Sequence, residues 1–167
     1  NDTGEDNTYI GSNAGYGAAG ANSGGQNTLV GHVAGKLVQG ASTKNTIVGA
    51  GAGEHITTGS HNAILGYNSG GDGSAAGLGK TTLIGAYAGD AIDSTDADGT
   101  VAVGYAALSA NEDGRYNVAI GYEAMLTNVD GDRNTAMGYQ SLRYMEPNAG
   151  NSYNTAFGFY SGFSVST

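Results

Sequence analysis

One glycine recurs nine times along the chain at intervals of 17 to 20 residues, and this repeat limits the possible folds more than any other feature. The repeated glycines are Gly11, Gly31, Gly49, Gly66, Gly85, Gly104, Gly121, Gly138 and Gly158. Counted from each glycine, position −1 is always apolar, position +3 is Ala or Ser, and position −4 is Asn or Thr. Nine units that agree in four columns predict a single repeat array over residues 1–167.

Each unit has the composition of a short β-strand followed by turns. Segment 45–49, Asn-Thr-Ile-Val-Gly, is typical, because β-branched residues favour strands and a glycine allows the backbone to bend or to approach a neighbour. The connecting stretches are rich in Gly, Asn, Asp and Ser, which favour turns. The sequence therefore predicts an all-β fold, a β-solenoid of nine coils of about 18 residues in which each coil contacts its neighbours. The Asn column is predicted to form a hydrogen-bonded ladder from coil to coil.

Alternation of side chains along a strand predicts which columns are buried. Position −1 is always bulky and apolar, so we place it in the core, together with the threonine-rich column at position −3. These predicted core residues are Ile10, Val30, Val48, Leu65, Ile84, Val103, Ile120, Met137 and Phe157. Position −2 then points outward, and its first five members form an apolar stripe that needs a partner. We predict self-association through this stripe, at Tyr9, Leu29, Ile47, Ile64 and Leu83.

The array changes character between the fifth and sixth units, which defines two sub-arrays, 1–98 and 99–167. In the second, position −2 holds only Ala102, Ala119, Ala136 and Ala156. Larger side chains appear after the glycine instead: position +1 holds Tyr105, Tyr122, Tyr139 and Phe159, and position +4 holds Leu108, Met125 and Leu142 in place of earlier glycines. We interpret this as one packed layer whose volume has moved from one side of the glycine to the other.

Two units carry a resemblance to a known family. Asn117-Val-Ala-Ile-Gly-Tyr-Glu-Ala and Asn134-Thr-Ala-Met-Gly-Tyr-Gln-Ser resemble the head repeats of YadA-like trimeric autotransporter adhesins and similar repeats of phage tail-fibre proteins. The resemblance implies a left-handed parallel β-roll, three chains around a common axis, and surface attachment. It also implies an extracellular location, on a cell surface or a virion.

Few residues suggest chemistry. His32, His55 and His61 lack metal-ligand spacing, and the repeat suggests no Ser, His and acid set, so we predict that the chain is not an enzyme. Acidic turns offer hard oxygen ligands, which makes Ca²⁺ the one cofactor considered, at Asp93, Asp96, Asp98, Asp130 and Asp132. The aromatic column Tyr105, Tyr122, Tyr139 and Phe159 is a candidate for glycan contact, with simple packing as the alternative.

Charge limits the partners. Six Lys or Arg against fifteen Asp or Glu give a formal charge of −9, which disfavours nucleic acid and anionic lipid. No run of apolar residues is long enough for membrane insertion, and the chain has no cysteine. The main hypothesis is a structural or adhesive fibre segment, a homotrimer that contacts a host-surface glycan or protein. The alternatives are a filament subunit whose coils stack end to end and a glycan-binding solenoid.

Overall fold

The computed structural model describes residues 4–17, 24–38, 40, 42–71, 77–92, 97–145 and 153–165. These residues form strands and turns, and none of them belongs to an apolar helix of membrane-spanning length. The strands are β1 (Thr8–Ile10), β2 (Thr28–Val30), β3 (Thr46–Val48), β4 (Ala63–Leu65), β5 (Thr82–Ile84), β6 (Val101–Val103), β7 (Val118–Ile120), β8 (Thr135–Met137), β9 (Tyr144–Met145), β10 (Thr155–Phe157) and β11 (Ser164–Val165).

Nine of these strands form one parallel sheet in the order β1-β2-β3-β4-β5-β6-β7-β8-β10. Each strand is three residues long and pairs in register with the same columns of the next coil, as Ile47 of β3 does with Ile64 of β4. The remaining strands, β9 and β11, pair in parallel as a second, two-stranded sheet. The predicted all-β solenoid of stacked coils is therefore confirmed.

The predicted assignment of the two strand faces is wrong, and the faces must be exchanged. In the predicted core column, Ile10 is 58% and Phe157 is 78% exposed. In the predicted interface column, Leu29 and Leu83 are fully buried. The predicted core residues are exposed at Ile10, Leu65, Ile84 and Phe157 and half-buried at Val30, Val48, Val103, Ile120 and Met137. Of the predicted interface residues, Leu29, Ile47, Ile64 and Leu83 lie in the core and Tyr9 is half-buried against it.

The turn that follows the glycine explains the exchange. It folds the chain back so that positions +3 and +4 lie against position −2, as shown by Gly35, where an added Cβ would come within 2.9 Å of Leu29 Cδ2. Position −4 lies on the same strand face as position −2, and Asn27, Asn45 and Asn117 are buried there. Positions −3 and −1 have the opposite parity and therefore point outward.

The glycine column stacks more tightly than any side chain would allow. A Cβ added to Gly85 would lie 2.3 Å from the carbonyl oxygen of Gly104, and the φ of Gly85 is +133°, a region that other residues rarely adopt. The same arrangement recurs along the column up to Gly138, whereas a Cβ on Gly158 would meet no atom within 4 Å. The prediction that the glycine marks a bend and a close approach is confirmed.

The predicted asparagine ladder is also confirmed. The backbone N–H of Asn45 donates to Asn27 Oδ1 at 3.0 Å, and the Asn45 side-chain amide donates to Asn27 Oδ1 and to the carbonyl of Gly59. The pattern repeats from Asn45 to Asn62 and from Asn117 to Asn134. Each buried amide thus satisfies backbone groups of the next coil, which fixes the register of the stack.

Candidate interaction surfaces

The outward face of the nine-stranded sheet is the first candidate surface. We call it the strand face and define it by positions −3 and −1 of the nine coils. Position −3 contributes Thr8, Thr28, Thr46, Ala63, Thr82, Val101, Val118, Thr135 and Thr155, and position −1 contributes the column from Ile10 to Phe157 given above. Every member is exposed or half-buried. At the strand spacing of roughly 4.8 Å, this surface runs for roughly 40 Å along the stack.

The strand face carries no charge, although the chain as a whole has a formal charge of −9; its position −1 is wholly apolar, and its position −3 is threonine in six of the nine coils. Its most exposed members are Ile10, Leu65 and Phe157, at 58%, 49% and 78%. Monomeric proteins rarely expose such a continuous apolar surface, because covering it with a partner releases ordered water. Sequence reasoning missed this surface since it placed the same columns in the core.

The second candidate surface is a continuous row of aromatic rings beside the glycine column. We call it the aromatic ladder, and it runs through Tyr67, Tyr87, Tyr105, Tyr122, Tyr139 and Phe159 in six successive coils. The ladder continues through Tyr160 and Phe163 to Tyr144. It contains the predicted column from Tyr105 to Phe159 and extends it in both directions. The sequence pattern did not predict that Tyr87 belongs to this row, because Tyr87 occupies position +2 and the other tyrosines occupy position +1.

Ring orientation divides the ladder into two parts. The rings of Tyr105, Tyr122, Tyr139 and Phe159 stack face to face, with centroids 5.2 Å apart and interplanar angles of 10–14°. Tyr87 stands nearly perpendicular to both of its neighbours, at 82° and 78°. Stacking turns the ring faces toward one another, so solvent meets chiefly ring edges and hydroxyl groups. Each stacked pair adds about 0.5–1.5 kcal/mol beyond the area that it buries.

A polar cluster supports the middle of the ladder. Glu123 Oε2 accepts from Gln140 Nε2 at 2.7 Å and pairs with Arg143 Nη2 at 2.8 Å. The hydrogen bond with the Glu123 side chain raises the pKa of the Tyr122 hydroxyl, because its phenol is the donor to a carboxylate. Burial raises the pKa of Tyr139, and its contact with Tyr160 adds to the rise. Both phenols therefore keep their protons at neutral pH.

The candidate calcium ligands do not converge in the described residues. Asp98 pairs with Lys80 Nζ at 3.2 Å, and Asp132 accepts from the backbone N–H of Arg115 and pairs with Arg133. Asp130 is exposed, and Asp93 and Asp96 lie outside the described residues. The described ranges contain no group of three His, Cys, Asp or Glu side chains that could hold a metal ion. Calcium binding stays a prediction.

The three histidines belong to neither the strand face nor the aromatic ladder as defined above. His32 and His61 are exposed, and the ring of the half-buried His55 contacts the carbonyl of Gly71. His32 occupies position +1 of the second coil, two coils from the start of the aromatic ladder at Tyr67. The prediction that the chain is not an enzyme stays a prediction.

Comparisons with known proteins identify no relative. No family model matches the sequence, and the searches of curated proteins and of solved structures found no significant match. The two surfaces and the repeat itself are therefore the features that indicate a function.

Proposed function

We propose that this chain is a structural segment of a fibre, held to further copies of itself through the strand face. The observation that carries the proposal is the continuous, uncharged surface on the outside of all nine coils, in which a wholly apolar column runs beside a column made mostly of threonine. The described core lies on the other side of the strands and holds positions −2, +3 and +4 together with Val38, Ile56, Leu78 and Ile92, so the strand face stays on the outside. A second copy is the occupant that fits best.

Charge selects a second copy over other occupants. The chain has fifteen acidic and six basic residues, so anionic lipid and nucleic acid are repelled. Two copies that approach through their strand faces oppose no like charges there, because neither column of this face holds a charged residue. The regular spacing of coils lets identical columns pack against each other along the whole stack, which suits a symmetric assembly.

Attachment at a surface is the role that such a fibre segment supports. The repeat columns resemble those of the heads of trimeric adhesins and of phage tail fibres, for which three chains around an axis and an extracellular location are expected. An elongated solenoid of parallel coils provides a stiff spacer, since each coil contacts only its neighbours. The proposed partner at the tip or side of the fibre is a host-surface glycan or protein.

The assembly's mass tests the proposal. The chain should form a species of fixed mass, three chains in the expected case, in sedimentation and light-scattering measurements across a range of concentrations. The double variant Ile84→Lys and Val103→Lys places two charges per copy on the strand face and should give monomers. The matched control is Ser109→Lys and Ala110→Lys, two half-buried positions away from the strand face, which should leave the mass unchanged.

Two results would contradict the proposal. A parent chain that is monomeric at every concentration would show that the strand face needs no partner. A mass that grows without limit would instead support end-to-end stacking of coils into a filament, with contact at the sheet edges β1 and β10. Circular dichroism should show the same β-sheet spectrum for both variants and the parent, so that a change in mass reports lost association and not unfolding.

A glycan-binding role is the second candidate, and the exposed row of hydroxyl groups on the aromatic ladder favours it. Sugars would meet ring edges and hydroxyl groups at Tyr105, Tyr122 and Tyr139, since the ring faces are occupied by neighbouring rings. Binding to a glycan array that is lost in Tyr122→Phe but kept in Tyr16→Phe would support this role. Tyr16 is exposed in the first coil and serves as the matched control.

A further inference from the structure

The aromatic ladder contains an unbroken series of tyrosines, which packing alone does not require. Tyr67, Tyr87, Tyr105, Tyr122 and Tyr139 contact one another in order, with ring centroids 5.2–5.8 Å apart. Phe159 would interrupt the series, but Tyr139 contacts Tyr160 directly at 5.5 Å. Six tyrosines are thus linked without passing through a phenylalanine. Stacking would be served equally by phenylalanine, whereas only the phenol can be oxidised by one electron under mild conditions.

We propose that this tyrosine series relays one-electron oxidation along the solenoid, from the coil that meets an oxidant to coils further along. In the first step, one electron passes from a tyrosine to a one-electron oxidant, such as a peroxyl radical or a photo-oxidised metal complex, and the phenolic proton is released. The resulting phenoxyl radical then takes an electron and a proton from the next phenol. The net result is one reduced oxidant, one proton released and one phenoxyl radical at a distant coil.

The proton has an acceptor at the centre of the series. The carboxylate of Glu123, which directly follows Tyr122 in the chain, can accept the phenolic proton, directly or through water, as the electron leaves. Glu123 is itself held in place by Gln140 and Arg143. At the more exposed rings, such as Tyr67 and Tyr105, water can accept the proton.

The ring edges are open enough to meet an oxidant in solution. Tyr67, Tyr105, Tyr122 and Tyr139 are between 40% and 54% exposed. The relay does not depend on the proposed self-association, because the aromatic ladder lies beyond the glycine column and outside the strand face. An oxidising equivalent that strikes one coil would be shared among six phenols instead of being fixed at one site.

A photo-oxidant attached at one end tests the relay. The chain has no cysteine, so Ala50→Cys provides a single attachment point at position +1 of the coil before Tyr67. A ruthenium polypyridyl complex attached there is oxidised by flash and quencher, and tyrosyl radicals are captured with a spin trap and located by peptide mass mapping. We expect adducts at Tyr139 and Tyr160 as well as at Tyr67.

The double variant Tyr105→Phe and Tyr122→Phe interrupts the series while keeping the ring stack. It leaves Tyr87 and Tyr139 three coils apart, roughly 15 Å at the spacing of stacked strands. Adducts at Tyr139 and Tyr160 should then be lost while adducts at Tyr67 remain, and the control variant Tyr16→Phe should match the parent. Distant adducts that persist in the double variant, or a parent modified only at Tyr67, would overturn the relay. Monitoring the oligomeric mass in parallel keeps this result separate from the self-association proposal.

Discussion

The first five coils and the last four fill the same core with different side chains. In the first part, Leu29, Ile47, Ile64 and Leu83 reach inward from position −2, and position +4 is glycine. In the second part, position −2 is alanine, and Leu108, Met125 and Leu142 reach inward from position +4. A Cβ added to Gly89 would lie 2.9 Å from Leu83 Cδ2, and one added to Gly162 would lie 2.7 Å from Leu142 Cδ2. The same space in the core is thus filled from the strand in the first part and from the turn after the glycine in the second part.

The difference shows that the solenoid specifies a volume for each coil and not a particular residue. Placing a large side chain at position +4 also strains the backbone in the second part. Position +4 has a positive φ in both parts, at +54° for Gly53 and +50° for Met125. A side chain in that region costs about 1–2 kcal/mol, which glycine avoids. Burial of Leu108, Met125 and Leu142 offsets this cost, since burying such a side chain contributes about 1.5–3 kcal/mol.

The largest expected effect tests what the two parts share. Gly66→Ala in the first part and Gly121→Ala in the second should each destabilise the fold by on the order of 4 kcal/mol, through backbone strain and a clash with the next glycine. The new Cβ atoms would lie 2.4 Å and 2.3 Å from the carbonyl oxygens of Gly85 and Gly138. Thermal or urea unfolding followed by circular dichroism measures both.

Gly158→Ala is the matched control for that pair. Its φ is +124°, but a Cβ there meets no atom within 4 Å, so it carries strain without the clash. We expect a loss of about 1–3 kcal/mol, the range for backbone strain alone. Equal losses at all three glycines would show that close stacking of the column contributes nothing measurable.

The next effect tests the exchange of volume directly in the fifth coil. Leu83→Ala should cost about 2–5 kcal/mol through the cavity it leaves. Gly89→Leu should cost about 1–3 kcal/mol by overpacking against Leu83 and Ile92. The double variant copies positions −2 and +4 of the sixth to eighth coils and should be more stable than Leu83→Ala alone. Unfolding free energies of the four proteins form a double-mutant cycle, and additive losses would contradict the exchange.

Much of this architecture could be predicted from the sequence, because a residue type that recurs at the same position in many units indicates a structural requirement at that position. The strand positions and the glycine bend follow from residue types that recur in all nine units, and the asparagine ladder follows from an asparagine that recurs in seven of them. Even the exchange of volume between positions −2 and +4 was visible in the sequence.

The orientation of the strand could not be predicted in the same way. A three-residue strand has apolar residues at both position −2 and position −1, as in Leu29 and Val30, so alternation alone does not select the buried face. The signal that would have settled it is the complementary volume at Ala102 and Leu108, since only side chains that share a space need to compensate. Tyr87 joined the aromatic ladder from a neighbouring column, which requires coordinates to see.

The smallest effect lies at the boundary between the two parts, where threonine replaces asparagine in the ladder. Thr81 and Thr100 are both buried. Thr81 Oγ1 donates to Asn62 Oδ1 at 2.9 Å, whereas Thr100 Oγ1 has no hydrogen-bond partner among the described residues. The same substitution should therefore have opposite effects at the two sites. Thr81→Val should lower the free energy of unfolding by about 1–2 kcal/mol, because a net hydrogen bond is lost.

Thr100→Val should instead raise the free energy of unfolding by about 1 kcal/mol, because it removes a buried hydroxyl group whose desolvation is not compensated. The measurement is the unfolding free energy of the two single variants, made under identical conditions. Opposite signs would locate the weakest point of the ladder at the sixth coil, where the core exchanges its source of volume. A loss of stability in both variants would mean that Thr100 is hydrogen-bonded in solution and that the ladder crosses the boundary intact.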